Sequence, residues 1–363
     1  MNTKRIDGIA NAVLYEGYML YPYRSSSVKN RQRFNFGVLY PQAYSEAQTG
    51  SDSWSMQAEC LVQTGSLTSM EVKVRFLKLV ARSTWKLAET SRQSEQNPVY
   101  EAVPTLEVDG KVFGPWQEAI ECEVALPACR LDALTAAPLE WEFAFPARDE
   151  RELLHDASGR LVGLLARTQE QVSGVVRCTA TRAVDGIYKL QVRVNNLTSF
   201  ETAPDTEDNA RQSARESGLM RSLVSAHILL GVIDGQFVSL LEPPENLSEL
   251  AASCQNICAW PVLVGDQGQY DTMLASPIIL YDYPQIAPES PGDLFDGTEI
   301  DEILALRIMT MTDEEKKEMR NIDVRARKIL ERTESLPMER LMKLHGTLRE
   351  LPTELRSWKE DVS

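Results

Sequence analysis

The 363-residue sequence has only three histidines and six cysteines. Such scarcity argues against a histidine-rich metal site and against a disulfide framework. Cys254 and Cys258 are close along the chain, and on a helix they would share a face, but no second cysteine or histidine pair accompanies them. Structural zinc sites need four such ligands. We therefore predict ordinary thiols, no metal site and no cofactor.

Familiar catalytic motifs are also missing. The sequence has no GxxxxGK[ST], GxGxxG, GxSxG or HExxH motif and no pair of CxxC motifs, and each of these marks a known kind of site. His227 stands beside Ile228 and Leu229, which favours a packed histidine, because catalysis needs a nucleophile or carboxylate beside it. Catalytic residues stay unknown, and the balance favours a protein that is not an enzyme.

Positive charge and long apolar runs are scarce as well. The net charge of -15 argues against broad binding to nucleic acid or to anionic membranes, since both favour basic surfaces. No apolar run approaches the roughly 20 residues of a membrane-spanning helix. The N-terminus lacks the apolar core of a signal peptide. We therefore expect a cytoplasmic protein without a membrane span and without a nucleic-acid partner.

The first two-thirds of the sequence have the patterns of antiparallel strands. Apolar side chains alternate with polar ones from Val72 to Phe76 and from Trp141 to Phe145. Asp-Gly pairs suit tight hairpin turns, and three are present: Asp109-Gly110, Asp185-Gly186 and Asp234-Gly235. The charged residues 149–156 predict a loop or a short helix.

The predicted fold class is α+β in three parts. Residues 1–205 form a β-rich domain, residues 206–290 a small mixed α+β unit with a proline-rich strap, and residues 291–363 a helical C-terminal region. Within the mixed unit we predict a helix at Leu247–Cys258. In the C-terminal region, Thr312 and Glu315 have the spacing of a capping box and predict a helix start.

One stretch, residues 273–302, divides strand-like from helix-like sequence and is called the strap below. Its prolines each remove a backbone donor and favour extended neighbours; they are Pro277, Pro284, Pro288 and Pro291. Tyr281 and Tyr283 give it an aromatic surface. The acidic residues Glu289, Asp293 and Asp296 follow in its less regular part and are candidates for partner binding.

A second candidate is the opening segment, residues 15–33, where four tyrosines precede arginines and a lysine. It could bind an anion, a nucleic acid or an acidic protein segment, or it could be a solvated loop. Tyrosine and arginine are enriched at interface hot spots. The predicted partner-binding residues are Tyr21, Tyr23, Arg24, Arg31, Arg33, Tyr281, Tyr283, Glu289, Asp293 and Asp296. Whether the opening segment and the strap form one surface stays open.

Two long stretches carry a family resemblance: LYEGYMLYPYRSSSVKNRQRFNFG near the N-terminus and SPIILYDYPQIAPESPGDLFDGTEIDEILALRIMTMTDEEK around the strap. They resemble a bacterial family associated with gene clusters for nickel–iron hydrogenases. The resemblance implies a role in assembling, maturing or supporting such a hydrogenase. It implies protein partners among hydrogenase subunits or maturation proteins, and it transfers no catalytic residue.

Three hypotheses follow. The leading one is a non-catalytic accessory or assembly factor that acts by protein–protein docking. The second is an enzyme whose site combines strap carboxylates with Arg31 or Arg33. The third is a structural subunit of a larger complex, which would expose a large apolar surface as an isolated chain.

Overall fold

The computed structural model describes residues 3–15, 36–48, 50, 52–89, 98–201, 208–285, 308–322, 327, 330–331 and 333–335. Its helices are α1 (Thr3–Leu14), α2 (Gln42–Ala47), α3 (Leu131–Ala136), α4 (Asp208–Met220), α5 (Ser248–Ala252) and α6 (Asp313–Ile322), with a 3-10 turn at Glu245–Leu247. Its strands are β1 (Ser55–Leu87), β2 (Tyr100–Val103), β3 (Leu106–Val108), β4 (Lys111–Phe113), β5 (Trp116–Ala125), β6 (Cys129–Arg130), β7 (Leu139–Phe145), β8 (Arg148–His155), β9 (Leu161–Gln169), β10 (Val172–Val184), β11 (Ile187–Asn196), β12 (Val224–Val238), β13 (Trp260–Leu263) and β14 (Thr272–Ser276).

The 33-residue strand β1 organises a large antiparallel sheet. Residues 61–63 pair with β11 and with β12 at once, so these two strands lie on opposite edges of β1. Beyond β12, β1 pairs with β9; along the other edge it pairs in turn with β11, β6, β5 and β2. This sheet confirms the prediction of antiparallel β-structure in the first two-thirds of the chain.

The third predicted hairpin, at Asp234-Gly235, is wrong, because β12 runs straight through it. Four residues of β1, 65–68, lie between its pairings to Gly235 and to Ile233, where β12 has only Asp234, and they form a bulge. The Asp234 carboxylate accepts the Leu67 N–H at 2.5 Å, and Asp234 has a φ of 55°. The Asp-Gly pair therefore lies opposite a bulge, and Asp234 has there the left-handed conformation that it would have in a turn.

The main core lies between two halves of this bent sheet. Phe76 of β1 contacts Phe143 and Phe145 of β7, with ring centroids 5.9 and 5.5 Å apart. These two strands are not hydrogen-bonded neighbours, since β7 reaches β1 only through β10 and β11. The sheet therefore folds back over itself, and alternate residues of β1 fill the interior. Aromatic packing of this kind stabilises beyond area burial alone.

Helices cover the outer face of the half-sheet that contains β12. Leu77 and Leu79 of β1 pack with Leu219 of α4 and with Tyr40 and Tyr44, whose rings stack at 4.9 Å. Helix α1 packs beside them on β12, β13 and β14. Strand β12 is thus buried on both faces along residues 224–232, which explains its nearly continuous apolar sequence.

The other two Asp-Gly hairpins are confirmed. Asp109 and Gly110 have φ values of 49° and 73° and join β3 to β4, as a type I′ turn requires. Asp185-Gly186 joins β10 to β11. The prediction of a loop or a short helix at residues 149–156 is wrong, because residues 149–155 belong to β8, which pairs with β9. Most of the β8 side chains are exposed, so no hydrophobic alternation marks the strand.

The predicted three-part division stays a prediction, although β12, from the predicted mixed unit, pairs with β1 of the β-rich part. The predicted helix at Leu247–Cys258 is too long, because α5 ends at Ala252 and excludes Cys254 and Cys258 from a shared helix face.

The capping box is confirmed: Glu315 N–H donates to Thr312 Oγ1 at 3.2 Å, and Thr312 N–H donates to the Glu315 carboxylate at 2.9 Å. Most of the predicted helical region 291–363 lies outside the described residues. In the part of the chain described here, no helix is long and apolar enough to cross a membrane.

Candidate docking surface

Residues 277–285 of the strap follow β14 and lie along the outer edge of β13. Strands β13 and β14 are antiparallel, with Trp260 opposite Ser276 and Leu263 opposite Met273. After Ser276 the chain returns, and the Tyr283 N–H donates to the Leu263 carbonyl at 2.7 Å. The strap therefore runs from the Trp260 end of β13 to the Leu263 end. This position covers an edge strand that would otherwise offer free backbone groups.

Asp282 fastens the strap to two strands. One carboxylate oxygen accepts the Leu263 N–H at 2.7 Å, and the other accepts the Ser239 hydroxyl at 2.5 Å. Ser239 Oγ in turn accepts the Glu242 N–H at 2.8 Å, just beyond the end of β12. Hydrogen bonds to an ionised carboxylate are stronger than neutral ones. The carboxylate thus links the strap, the edge of β13 and the end of β12.

Side chains of the strap alternate between the protein and solvent. Ile278 and Leu280 pack against α1 and the sheet. Ile279 and Tyr281 point the other way and are 73% and 87% exposed, more than any other large apolar side chain that the structure describes. This period of two is that of an extended chain. Residues 278–281 of the strap are therefore extended, as predicted from the prolines, and they present Ile279 and Tyr281 on a fixed backbone.

Tyr283 belongs to the strap's attachment. Its hydroxyl donates to the Gln269 carbonyl at 2.9 Å, and its ring meets that of Tyr270 edge-on at 6.4 Å. Burial raises the pKa of its phenol. Its backbone has a positive φ of 55°, and its N–H donates to the Leu263 carbonyl. Its described contacts are internal, whereas Tyr281 is free to meet a partner; a partner-binding role for Tyr283 stays a prediction.

The described residues on either side of the opening segment come close to the strap. Helix α1, which leads into it, packs against Ile278 and Leu280. After it, Gly37 has a φ of 54° and lies so close to Pro277 that a Cβ there would collide with the proline ring. The Gly37 carbonyl accepts the Ala226 N–H at 2.9 Å. The chain therefore leaves and re-enters the described structure beside the start of the strap.

Most of the predicted partner-binding residues lie outside the described residues. Tyr281 and Tyr283 are the two that the structure places. The others are Tyr21, Tyr23, Arg24, Arg31, Arg33, Glu289, Asp293 and Asp296. Sequence reasoning missed Ile279 and Asp282. The sequence from Ile278 to Tyr281 is a continuous apolar run, so it does not show which side chains face outward, and no local signal marks Asp282.

Metal and acid–base chemistry find little support in the geometry. Within the described ranges, no group of three or more histidine, cysteine, aspartate or glutamate side chains could hold a metal ion. His227 is fully buried, its Nδ1 lies 3.0 Å from the Ser225 carbonyl, and burial lowers its pKa to about 4. This histidine is therefore neutral and packed at pH 7, in agreement with the structural interpretation of its sequence context.

No protein-family model and no curated protein matches this chain. The fold and the candidate site therefore define the class of protein. It is an antiparallel β protein whose strap is held to the sheet and exposes Ile279 and Tyr281.

Proposed function

We propose that this protein is a non-catalytic, cytoplasmic accessory factor that docks a protein partner on the exposed side of the strap. The observation that supports it is the pair Ile279 and Tyr281, 73% and 87% exposed on a backbone that Asp282 fastens to the sheet. The partner we propose is a subunit or maturation protein of a nickel–iron hydrogenase, and that identity rests on the sequence resemblance.

Fixed, exposed apolar side chains suit docking for an energetic reason. Binding must offset the entropy lost when flexible groups become ordered, and a preorganised surface lowers that cost. Full burial of an isoleucine is worth about 1.5–3 kcal/mol. A tyrosine adds a rigid ring and a hydroxyl that can find a partner. The alternate side chains Ile278 and Leu280 hold the backbone in place and leave the outer pair available.

Charge supports association with a protein in a different way. The chain has a net charge of -15, whereas the opening segment contributes Arg24, Lys29, Arg31 and Arg33. Such local contrast raises association rates and selects partners more than it adds affinity. We propose that the opening segment forms part of the same docking surface and that the acidic residues Glu289, Asp293 and Asp296 extend it.

The test is affinity capture from the native host, followed by mass spectrometry. The wild type is expected to capture hydrogenase subunits or maturation proteins. The double variant Ile279→Ser with Tyr281→Ser is expected to lose most of this capture while it keeps the wild-type melting temperature. Leu67→Ser is the matched control, because Leu67 is also 63% exposed but lies in the β1 bulge; it should capture normally.

Different outcomes contradict different parts of the proposal. Undiminished capture by the double variant would exclude the strap as the docking surface. A captured set without any hydrogenase component would exclude the proposed partner and leave the docking surface intact. For the opening segment, Arg31→Glu with Arg33→Glu should reduce capture at unchanged stability. A loss of stability in that variant would instead indicate that the segment binds the protein's own strap.

A further inference from the structure

A second candidate site lies on the outer face of the half-sheet formed by β1, β11, β10 and β7. The register places Gln57, Arg193, Arg177 and Glu140 side by side in one row across these four strands. Two arginines are therefore direct cross-strand neighbours. Like charges in this position repel each other and destabilise a sheet, so the pair calls for a compensating negative group.

Arg193 differs from the other arginines that are not fully exposed. Four of these pair with a carboxylate: Arg75 with Glu121 at 3.3 Å, Arg82 with Glu118 at 2.9 Å, Arg167 with Glu118 at 2.8 Å and Arg221 with Glu170 at 3.0 Å. Arg193 has no ion-pair partner within the described ranges, and its buried Nε has no hydrogen-bond acceptor there. A buried Nε–H without an acceptor loses the hydrogen bond that it makes to water in the unfolded chain.

Two carboxylates near this row, Glu140 and Glu59, are already engaged. Glu140 lies 3.5 Å from Arg177. The Glu59 carboxylate accepts hydrogen bonds from the Gln191 side chain at 2.8 Å and from the Gln255 N–H at 2.8 Å. Neither group therefore compensates Arg193.

The adjoining row has unmet hydrogen-bonding capacity too. Ser55 and Asn195 are direct cross-strand neighbours, and Asn195 is two residues from Arg193 on the same face of β11. Ser55 Oγ and Asn195 Oδ1 are both buried and lack partners in the described structure. The Ser55 hydroxyl can donate a hydrogen bond. Exchange of the Asn195 amide oxygen and nitrogen would put its NH2 group at the position of Oδ1, where it can donate as well. Three adjacent side chains can thus present donors to one ligand.

We propose that Arg193 and Arg177 bind an oxyanion, a carboxylate or phosphate group of a ligand, on the outer face of this half-sheet. Arginine suits this role because its planar fork can donate two parallel hydrogen bonds to such a group. The Ser55 hydroxyl supplies a further donor. The site lies on β1, β10 and β11, its residues are not those of the strap, and it does not depend on the docking function proposed above.

The experiment titrates the full chain with inorganic phosphate and, separately, with succinate, at constant ionic strength maintained with chloride. Binding is followed by calorimetry and by the arginine Nε–H signals in nuclear magnetic resonance spectra. Saturable binding that shifts the Arg193 signal is the expected result. A preference for one probe identifies phosphate or carboxylate as the ligand group.

Three variants decide the assignment. Arg193→Gln is expected to weaken binding at least ~10-fold, which corresponds to about 1.4 kcal/mol, and Arg177→Gln should weaken it to a smaller extent. Arg182→Gln is the matched control, because Arg182 lies on β10 like Arg177 but outside this row, and it pairs with Asp185. This variant should bind like the wild type. Equal binding by wild type and Arg193→Gln, or no saturable binding of either probe, would overturn the proposal.

Discussion

Replacement of Asp282 by alanine tests whether the strap is fastened as the structure indicates. The substitution removes the acceptor of the Leu263 N–H and the acceptor of the Ser239 hydroxyl. Leu263 is buried, so its N–H at the edge of β13 would have to find water or remain unsatisfied. Asp282→Asn is the conservative comparison, since its amide oxygen can still accept the Leu263 N–H.

The expected loss in the free energy of unfolding follows from these two hydrogen bonds. A bond to a charged group is worth about 1.5–3 kcal/mol net. Asp282 is half-buried, and water can replace part of what is lost. We therefore expect Asp282→Ala to lower the free energy of unfolding by about 2–4 kcal/mol, and Asp282→Asn by about 1 kcal/mol.

Two measurements check this. Urea denaturation gives the free energy of unfolding, and hydrogen exchange gives the protection of the Leu263 amide. That amide should lose protection in Asp282→Ala and keep most of it in Asp282→Asn. Asp185→Asn serves as the control, because its carboxylate is 98% exposed and should change stability by no more than about 0.5 kcal/mol. Wild-type stability and a protected Leu263 amide in Asp282→Ala would refute the reasoning.

Three further substitutions test other parts of the structure. Gly37→Ala should destabilise by about 1–3 kcal/mol, because Gly37 has a positive φ and contacts Pro277; wild-type stability in denaturation would contradict the close approach. His227→Asn should flatten the pH dependence of stability. The His227 pKa is lowered to about 4 from 6.5, so the unfolded chain binds a proton as the pH falls below 6.5 while the folded chain resists it. About 3 kcal/mol is therefore lost by pH 4 in the wild type, and equal pH profiles for both proteins would exclude this cause. Thr312→Ala should weaken the start of α6 by about 1 kcal/mol, seen as reduced helical circular dichroism, whereas Thr312→Ser should retain the cap; equal spectra for the two variants would count against it.

Several strands, turns and a helix start could be predicted from the sequence because the deciding interactions are local. Asp109-Gly110 can adopt the two positive φ values that a tight turn needs, whatever surrounds it. Alternation along β7 reflects one face that meets the core and one that meets solvent. The capping box at Thr312 and Glu315 also depends only on residues three apart. Each of these features is specified within a few residues of chain.

Where prediction failed, pairing with another strand supplied the missing interaction. Asp234-Gly235 has the same residues as the true hairpins, but β1 runs beside it and its bulge takes up the Asp234 carboxylate. Strand β8 shows no apolar alternation because most of its side chains are exposed; its structure comes from backbone pairing with β9. In the first case the partner strand is remote along the chain, and in the second it follows after a short turn, but neither pairing leaves a mark in the side-chain pattern.

The sequence by itself predicted an extended strap with two tyrosines and an acidic end, since prolines and composition act locally. Only the tertiary structure decided that Tyr281 faces outward, that Asp282 meets the edge of β13, and that Gly37 lies against Pro277. The same holds for Arg193, whose unmet hydrogen bonds follow from strand register. Register and edge contacts join residues far apart along the chain, so they arise only when the strands pair and the sheet folds over its core.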